Sequence, residues 1–414
     1  MIITDLVLLE GFTFQRVLDQ LIARSGVPNI TSAQLFRQWF DTQNPKPGLA
    51  DPAGPHCDDF MTDGSPSFNG LPRRCPTLEG PLAATPFTSG EYFPIALVNR
   101  FDQAPADGSN CGQFRLVFAR RNMPLGQVLH IIMEPVLRNP NPASGLAGCR
   151  AVAQFWAGLT NIDSQAERRA KLESFYFDGL PGMPPVIDPD NFTAASGGGI
   201  RTTQQGADHR PRMYQFRLTK ECSTACTLRM TPDVLQNMPI ARFFDSASTM
   251  PGAQAFQDAL VAQVPNLAVR DVNEYFMEIP RALLMVESNP FDNEAAFVYR
   301  PPFEQNKLTS PGFRNRIQEK LTAIGSTLTP EQIVDRADTQ NCVGCHIGGG
   351  PVGEGVVFPH SLDTIQHITE QSPEAGELGQ RYRISPAMRD VFIPHRMKIL
   401  IDFLNSGKAP VRSQ

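Results

Sequence analysis

The chain has no hydrophobic run of eighteen residues, so no segment of it reads as a membrane-spanning helix. It has no basic block either, and its net charge is -5, which argues against nucleic acid or an anionic membrane as a partner. No Gly-Lys-Ser/Thr loop and no G-x-G-x-x-G opening a helix occurs, so Gly197-Gly198-Gly199 reads as a turn and not as a phosphate cradle. A nucleophile elbow, an H-E-x-x-H helix and a supported pair of carboxylates are likewise missing, and His130 and His209 read as structural or surface residues. The first residues, MIITDLVLLEGF, are apolar but carry Asp5 and lack both a basic n-region and a small-residue cleavage site.

Against these absences stands one motif, Cys342-Val343-Gly344-Cys345-His346, inside NCVGCHIGGG. Two thiols at this spacing can bond the two vinyl groups on one edge of a haem, and the histidine that follows can reach the iron as proximal ligand. A redox dithiol would follow a strand, which the residues before Cys342 do not resemble; a zinc site would need a second ligand pair, and there is no second C-x-x-C. One covalent haem c on Cys342 and Cys345, with His346 on the metal, is therefore expected. Gly348 to Gly350 would let backbone approach its edge.

Six cysteines remain, an even number that suggests disulfides. Nearest pairing gives Cys57–Cys75, Cys111–Cys149 and Cys222–Cys226, one of fifteen connectivities open to six cysteines. Cys222 and Cys226 are separated by three residues with no histidine after them, so they are not a second haem site. Attached haem and disulfides both imply a periplasmic or extracellular protein, with an export signal outside this sequence.

With 37 prolines and 32 glycines in 414 residues the chain is loop-rich, yet long enough for two or three cores. Helical spacing predicts a helix over Phe14–Ile22 ended by Gly26, and a second opened by a Thr31/Gln34 capping box. Residues 43 to 91 read as irregular, stapled by Cys57–Cys75, with His56 an exposed loop residue. Strands are expected at Tyr92–Arg100, Gln113–Arg120 and Val128–Val136 as an antiparallel meander, with Phe114, Leu116 and Phe118 on one face and Arg115 and Val117 on the other. Asp102 and Asp107, in the link, read as turn formers before calcium ligands. Helices follow at 147–159 and 163–177, then strands at Ile200–Gln205 and Met213–Thr219. Thr231–Gln236, Ala253–Val264 and Pro311–Ile324 read as helices, and Val272–Ile279 and Ala282–Val286 as strands.

Near the end, Thr329, Pro330 and Gln332 predict a capped helix that delivers the chain into Cys342, and a last helix runs from Pro394 to Gly407 with Met397, Leu400, Ile401 and Leu404 as its apolar stripe. A short helix, C-x-x-C-H, loops and a closing amphipathic helix resemble a mono-haem cytochrome c domain over residues 327–408. That resemblance implies a small all-α domain over 327–414; with the strands and helices read above, residues 1–325 form a disulfide-stabilised domain with an antiparallel sheet and helices, and the chain as a whole is α+β. The resemblance implies that the first and last helices cross, with Ala337 against Phe403. It also implies a methionine as sixth iron ligand, for which Met388 in ISPAMRD stands in the matching place; His360 and His367 are the next candidates, and an open position is the remaining one. Arg381, Arg383 and Arg389 are candidates to pair the haem propionates. Stretches such as FPIALVNRFD and CGQFRLVFA resemble uncharacterised predicted secreted bacterial proteins, which supply no role. The expected function is electron transfer with an unidentified redox partner. The alternatives are a binding protein with a haem sensing domain, or an oxidoreductase with an open haem site.

Overall fold

The computed structural model describes residues 1–121, 129–205, 211–223, 225–288, 298–341, 350–359 and 368–407. Strand β1 (Ile2–Ile3) and helix α1 (Leu6–Leu9) precede α2 (Phe14–Ser25). The side chain of Thr13 caps α2 by accepting from the Arg16 N–H, and Gly26 closes it at a φ of 63°. Helix α3 (Ser32–Asp41) starts with the expected capping box, since Thr31 and Gln34 each satisfy the other's backbone N–H. Phe14, Val17, Leu18 and Leu21 of α2 and Leu35 and Trp39 of α3 are fully buried.

The loop after α3 is more ordered than its composition suggested. It holds a three-stranded sheet, β2 (Met61–Thr62), β3 (Ser65–Phe68) and β4 (Leu71–Pro72), besides the Cys57–Cys75 disulfide. Asp41 fastens its near end, accepting from the backbone N–H groups of Leu49, Ala50 and Asp51 and from the Asn44 amide. Those donors hold the Asp41 carboxyl below its ordinary range although burial pushes the other way. His56 is not an exposed loop histidine: it is buried, with Nε2 3.8 Å from Asp41 Oδ2, because Gly48 leaves room for its ring there.

The main sheet is eight-stranded and antiparallel. It contains β1, β5 (Tyr92–Arg100), β6 (Asn110–Arg120), β7 (Leu129–Glu134), β8 (Val136–Arg138), β9 (Gly199–Gln205), β10 (Pro211–Cys222) and β11 (Cys226–Asp233). The order is β1-β5-β6-β7-β9-β10-β11, with β8 beside β6. Alternation gives each strand two unlike faces. Phe114, Leu116 and Phe118 are buried against the helical layer of α2, α3, α4 (Arg150–Gly158) and α5 (Gln165–Phe177); Phe114 lies near Trp156 and Phe175. Tyr214, Phe216 and Leu218 join the same core. Gly198 is needed between strands because a Cβ there would collide with the Asn191 carbonyl. Cys111–Cys149 and Cys222–Cys226 are paired as nearest neighbours, the latter across the β10–β11 turn.

A second core follows. Residues 231–233 belong to β11 and not to a helix, because they pair with β10 at Arg217 to Gln215. The core is built by α6 (Ala253–Ala262), α7 (Val264–Leu267), α8 (Arg300–Gln305), α9 (Gly312–Ala323) and α10 (Pro330–Asp338). Val272–Ile279 and Ala282–Val286 form no strand; their apolar residues fill this core from irregular chain, with one bridge, Pro239 to Leu284. The Thr329/Gln332 capping box on α10 is formed.

The expected all-α carboxy-terminal unit differs in two ways. Its described residues include two hairpins, β12 (Gly350–Pro351) with β13 (Val357–Phe358) and β14 (Ile368–Gly376) with β15 (Gly379–Ile384). The segment is also shared between the cores. α10 and Phe358 lie in the second, whereas Tyr382, Leu400 and Phe403 lie in the first. Ala337 and Phe403 are thus in different cores, and Phe403 packs on Phe101 at 5.0 Å between ring centres. The last helix, α11 (Ile393–Ser406), buries Leu400 and Phe403 but leaves Met397 41% and Ile401 49% exposed, so the expected stripe is rotated. No helix among the described residues is long and apolar enough to cross a membrane.

Candidate functional site

Between the two cores lies a cavity of about 880 Å³. Its floor is the face of the main sheet turned away from the helical layer, where alternation places Arg115 and Val117 of β6, Ile132 and Glu134 of β7, and Arg201 of β9. The opposite walls come from the chain on either side of the C-x-x-C-H motif. Thr339, Gln340 and Asn341, the residues that run from α10 to Cys342, line it on one side. Met388, Phe392, His395 and Arg396 line it on another. Cys342, Cys345 and His346 lie outside the described residues, as do His360, His367 and His209.

Met388 is 8% exposed and sits in a π-helical turn, Ala387–Phe392, that runs straight into α11. Its N–H donates to Ser385 Oγ at 3.2 Å, which fixes where the turn begins. A π-turn adds a residue to the helical repeat and re-aims the side chains around it, a device common at functional positions. Phe392 reaches the second core through Phe358, at 6.1 Å between rings, so α11 starts beside one core and ends in the other.

The polar part of the cavity is an ion-pair array. Arg115 Nε lies 3.0 Å from Glu134 Oε1, and Arg201 Nε lies 2.8 Å from Glu134 Oε2. Arg100 binds Asp102 through Nε and Nη2 at 2.8 to 3.1 Å, and Arg396 Nε approaches Asp102 Oδ2 at 3.9 Å. Asp102 is therefore an ion-pair anchor and not a simple turn residue. Burial opposes its ionisation, but Arg100 and Arg396 override that and hold the carboxyl well below the usual range. Asp107 keeps its expected part, accepting from the Ser109 N–H.

The arginines expected to pair propionates do not line this cavity. Arg381 binds Glu374, Arg389 binds Asp390, and Arg383 is exposed on β15. The cavity instead presents Arg100, Arg115, Arg201 and Arg396. The alternation of β6 already set Arg115 apart from the core residues. Its meeting with Arg201 required the β7–β9 pairing, which joins strands more than sixty residues apart in sequence. A second concavity, about 620 Å³ between α8, α10 and the β12–β13 turn, is open and lined mainly by charged side chains such as Arg300 and Asp335, which pair at 2.8 Å.

The cavity has a volume in the range of ligand pockets, a lining part polar and part apolar, guanidiniums able to pair carboxylates and a buried thioether. No group of three or more metal-ligating side chains occurs among the described residues. No protein family, curated protein or solved structure matches this chain.

Proposed function

We propose that the chain is an exported c-type haem protein that passes single electrons through one haem held on Cys342 and Cys345, with His346 as proximal ligand. The observation that supports this most is one of position. The residues immediately before the C-x-x-C-H motif form a wall of the cavity between the two cores, and the buried sulfur-bearing side chain of Met388 forms part of another wall. Three disulfides agree with a protein matured outside the cytoplasm. In this reading the haem is enclosed between two cores and not within a self-contained helical domain.

The haem, when bound, supplies the Fe(III)/Fe(II) couple. The chain's own residues would set its surroundings. Met388 would offer a thioether to the iron, which raises the potential relative to a second histidine. Val117, Ile132 and Phe358 would exclude water, and the arginines of the sheet face would neutralise carboxylates. His395, 3.9 Å from Asp271, and His130 of β7 are the described histidines on the same cavity and the alternative ligands.

The test is an absorption spectrum of the full chain produced with haem-maturation machinery. A reduced c-type spectrum that survives denaturation is expected, and Cys342→Ala with Cys345→Ala should abolish it. The oxidised protein should show the weak thioether-to-iron charge-transfer band, lost in Met388→Ala but kept in His395→Ala. A colourless matured chain refutes the haem reading. Fast carbon monoxide binding by the reduced wild type, with no thioether band, would replace electron relay by an open-site oxidoreductase.

A further inference from the structure

The sheet face of the cavity holds two guanidiniums on one carboxylate. Both oxygens of Glu134 are occupied, one by Arg115 and one by Arg201, and Glu134 is 2% exposed. Of the other carboxylates on the cavity, Asp102 is committed to Arg100 and Arg396 and Asp402 to Lys398. Burial pushes the Arg115 guanidinium down to about 10; Glu134 pulls it up, while Arg100 and Arg201 press it further down. A poorly solvated place where two cations share one anion favours a second anion. The rest of the lining is mixed, and its apolar part is formed by Val98, Val117, Ile132, Phe358 and Phe392.

We propose that this cavity binds an organic carboxylate, its head between Arg115 and Arg201 and its apolar body against Val117, Ile132 and Phe392. A guanidinium fork matches a carboxylate or a phosphate, but Arg115 and Arg201 together exceed Glu134 by a single charge and the neighbouring Val117, Ile132 and Phe392 are apolar, so a monoanion with an apolar body fits this part of the cavity better than a phosphate dianion. The binding does not depend on haem attachment. The carboxylate has two sources with the same chemistry: a propionate of a haem linked at Cys342 and Cys345, or a free organic acid.

The probe is 9-anthracenecarboxylate, with neutral 9-anthracenemethanol as its control, titrated by fluorescence into the full chain made with and without haem maturation. The haem-free chain should bind the acid at least about tenfold more tightly than the alcohol, and Arg115→Gln should remove that preference. Glu134→Gln, which takes away the competing carboxylate, should tighten acid binding. That gain cannot come from a folding defect, so it decides the matter if Arg115→Gln does not fold. Loss of acid binding in the matured chain assigns the site to a propionate; equal binding in both forms assigns it to a free acid. Equal affinity for acid and alcohol, or a Glu134→Gln chain that binds the acid no better than wild type, overturns the proposal. Because these titrations are read on haem-free protein, a failure of the haem reading leaves them interpretable.

Discussion

Arg336 is the residue whose replacement should cost this fold most for a single change of modest volume. It is fully buried in α10. Nε donates to the Val352 carbonyl at 2.8 Å, Nη1 to Leu267 at 2.9 Å and Val269 at 2.8 Å, and Nη2 to Gly353 at 3.2 Å. The guanidinium also lies 5.1 Å from the centre of the Tyr275 ring. One side chain thus ties α10 to the end of α7 and to the β12–β13 turn. In Arg336→Met the stem volume is kept, but four carbonyls lose a charged donor. Each such loss is worth roughly 1 to 3 kcal/mol, part of which is returned because no charge is buried any longer. A net cost of about 3 to 5 kcal/mol follows. The chain offers a way to localise it. Its two tryptophans, Trp39 and Trp156, are both in the first core, so indole fluorescence follows that core alone, while far-ultraviolet circular dichroism follows both. In urea unfolding of the haem-free chain, the dichroism transition should move to lower urea and the fluorescence transition should stay near its wild-type midpoint. Arg336→Lys, which keeps the charge without the fork, should fall between. A cost under about 0.5 kcal/mol for Arg336→Met would refute the anchoring role; equal shifts in both probes would refute the division into two cores.

Glu79 is buried, and burial pushes its carboxyl up to about 7, with hydrogen bonds from Thr202 and Gln43 and the charge of Arg120 pulling the other way. The folded state therefore holds this proton more tightly than the unfolded state. Stability should fall as pH rises from about 4.5 to 7, by about 3 kcal/mol, and level off above; Glu79→Gln should flatten that slope in urea titrations at pH 5 and 7.5, and an unchanged slope would locate the effect elsewhere. The Cys111–Cys149 disulfide closes a 38-residue separation and Cys222–Cys226 one of only 4. Replacing the first pair by alanine should cost about 4 kcal/mol and the second about half as much, measured by thermal or urea unfolding; the reverse order would exclude a chain-entropy origin.

What could be read from the sequence was local. The Thr31/Gln34 and Thr329/Gln332 capping boxes, the glycine stops at Gly26 and Gly407, and the alternation of Phe114, Leu116 and Phe118 depend on residues within one turn or one strand, and each is found where expected. The mixed α+β class and the three nearest-neighbour disulfides follow from the same short-range signals. What failed was long-range or competitive. Thr231 to Asp233 had no strand pattern of its own and is held extended by pairing with β10. Val272–Ile279 is apolar enough for a strand but finds its burial in irregular chain against α10. Burial of His56 depends on Gly48 and Asp41, and burial of Arg336 on carbonyls about 70 and 16 residues away in sequence. None of these partners is marked by spacing.

The same distinction bears on Cys342–His346. C-x-x-C-H is a local signature: under the haem proposal it would specify attachment without specifying the pocket. A cytochrome c fold would bring its own pocket, because the helices on both sides of the motif would pack on each other. Here α10 belongs to the second core, and α11 finishes in the first. Residues Thr339 to Asn341 and Met388 still meet on one cavity because the face of the main sheet that carries Arg115 and Arg201 lies between the cores. A group bound there touches both cores at once. Its binding energy would therefore act on their mutual packing as well as on each alone, and the potential of an enclosed iron would depend on how closely the two cores approach, since burial and the charges of the sheet face are the levers that set it.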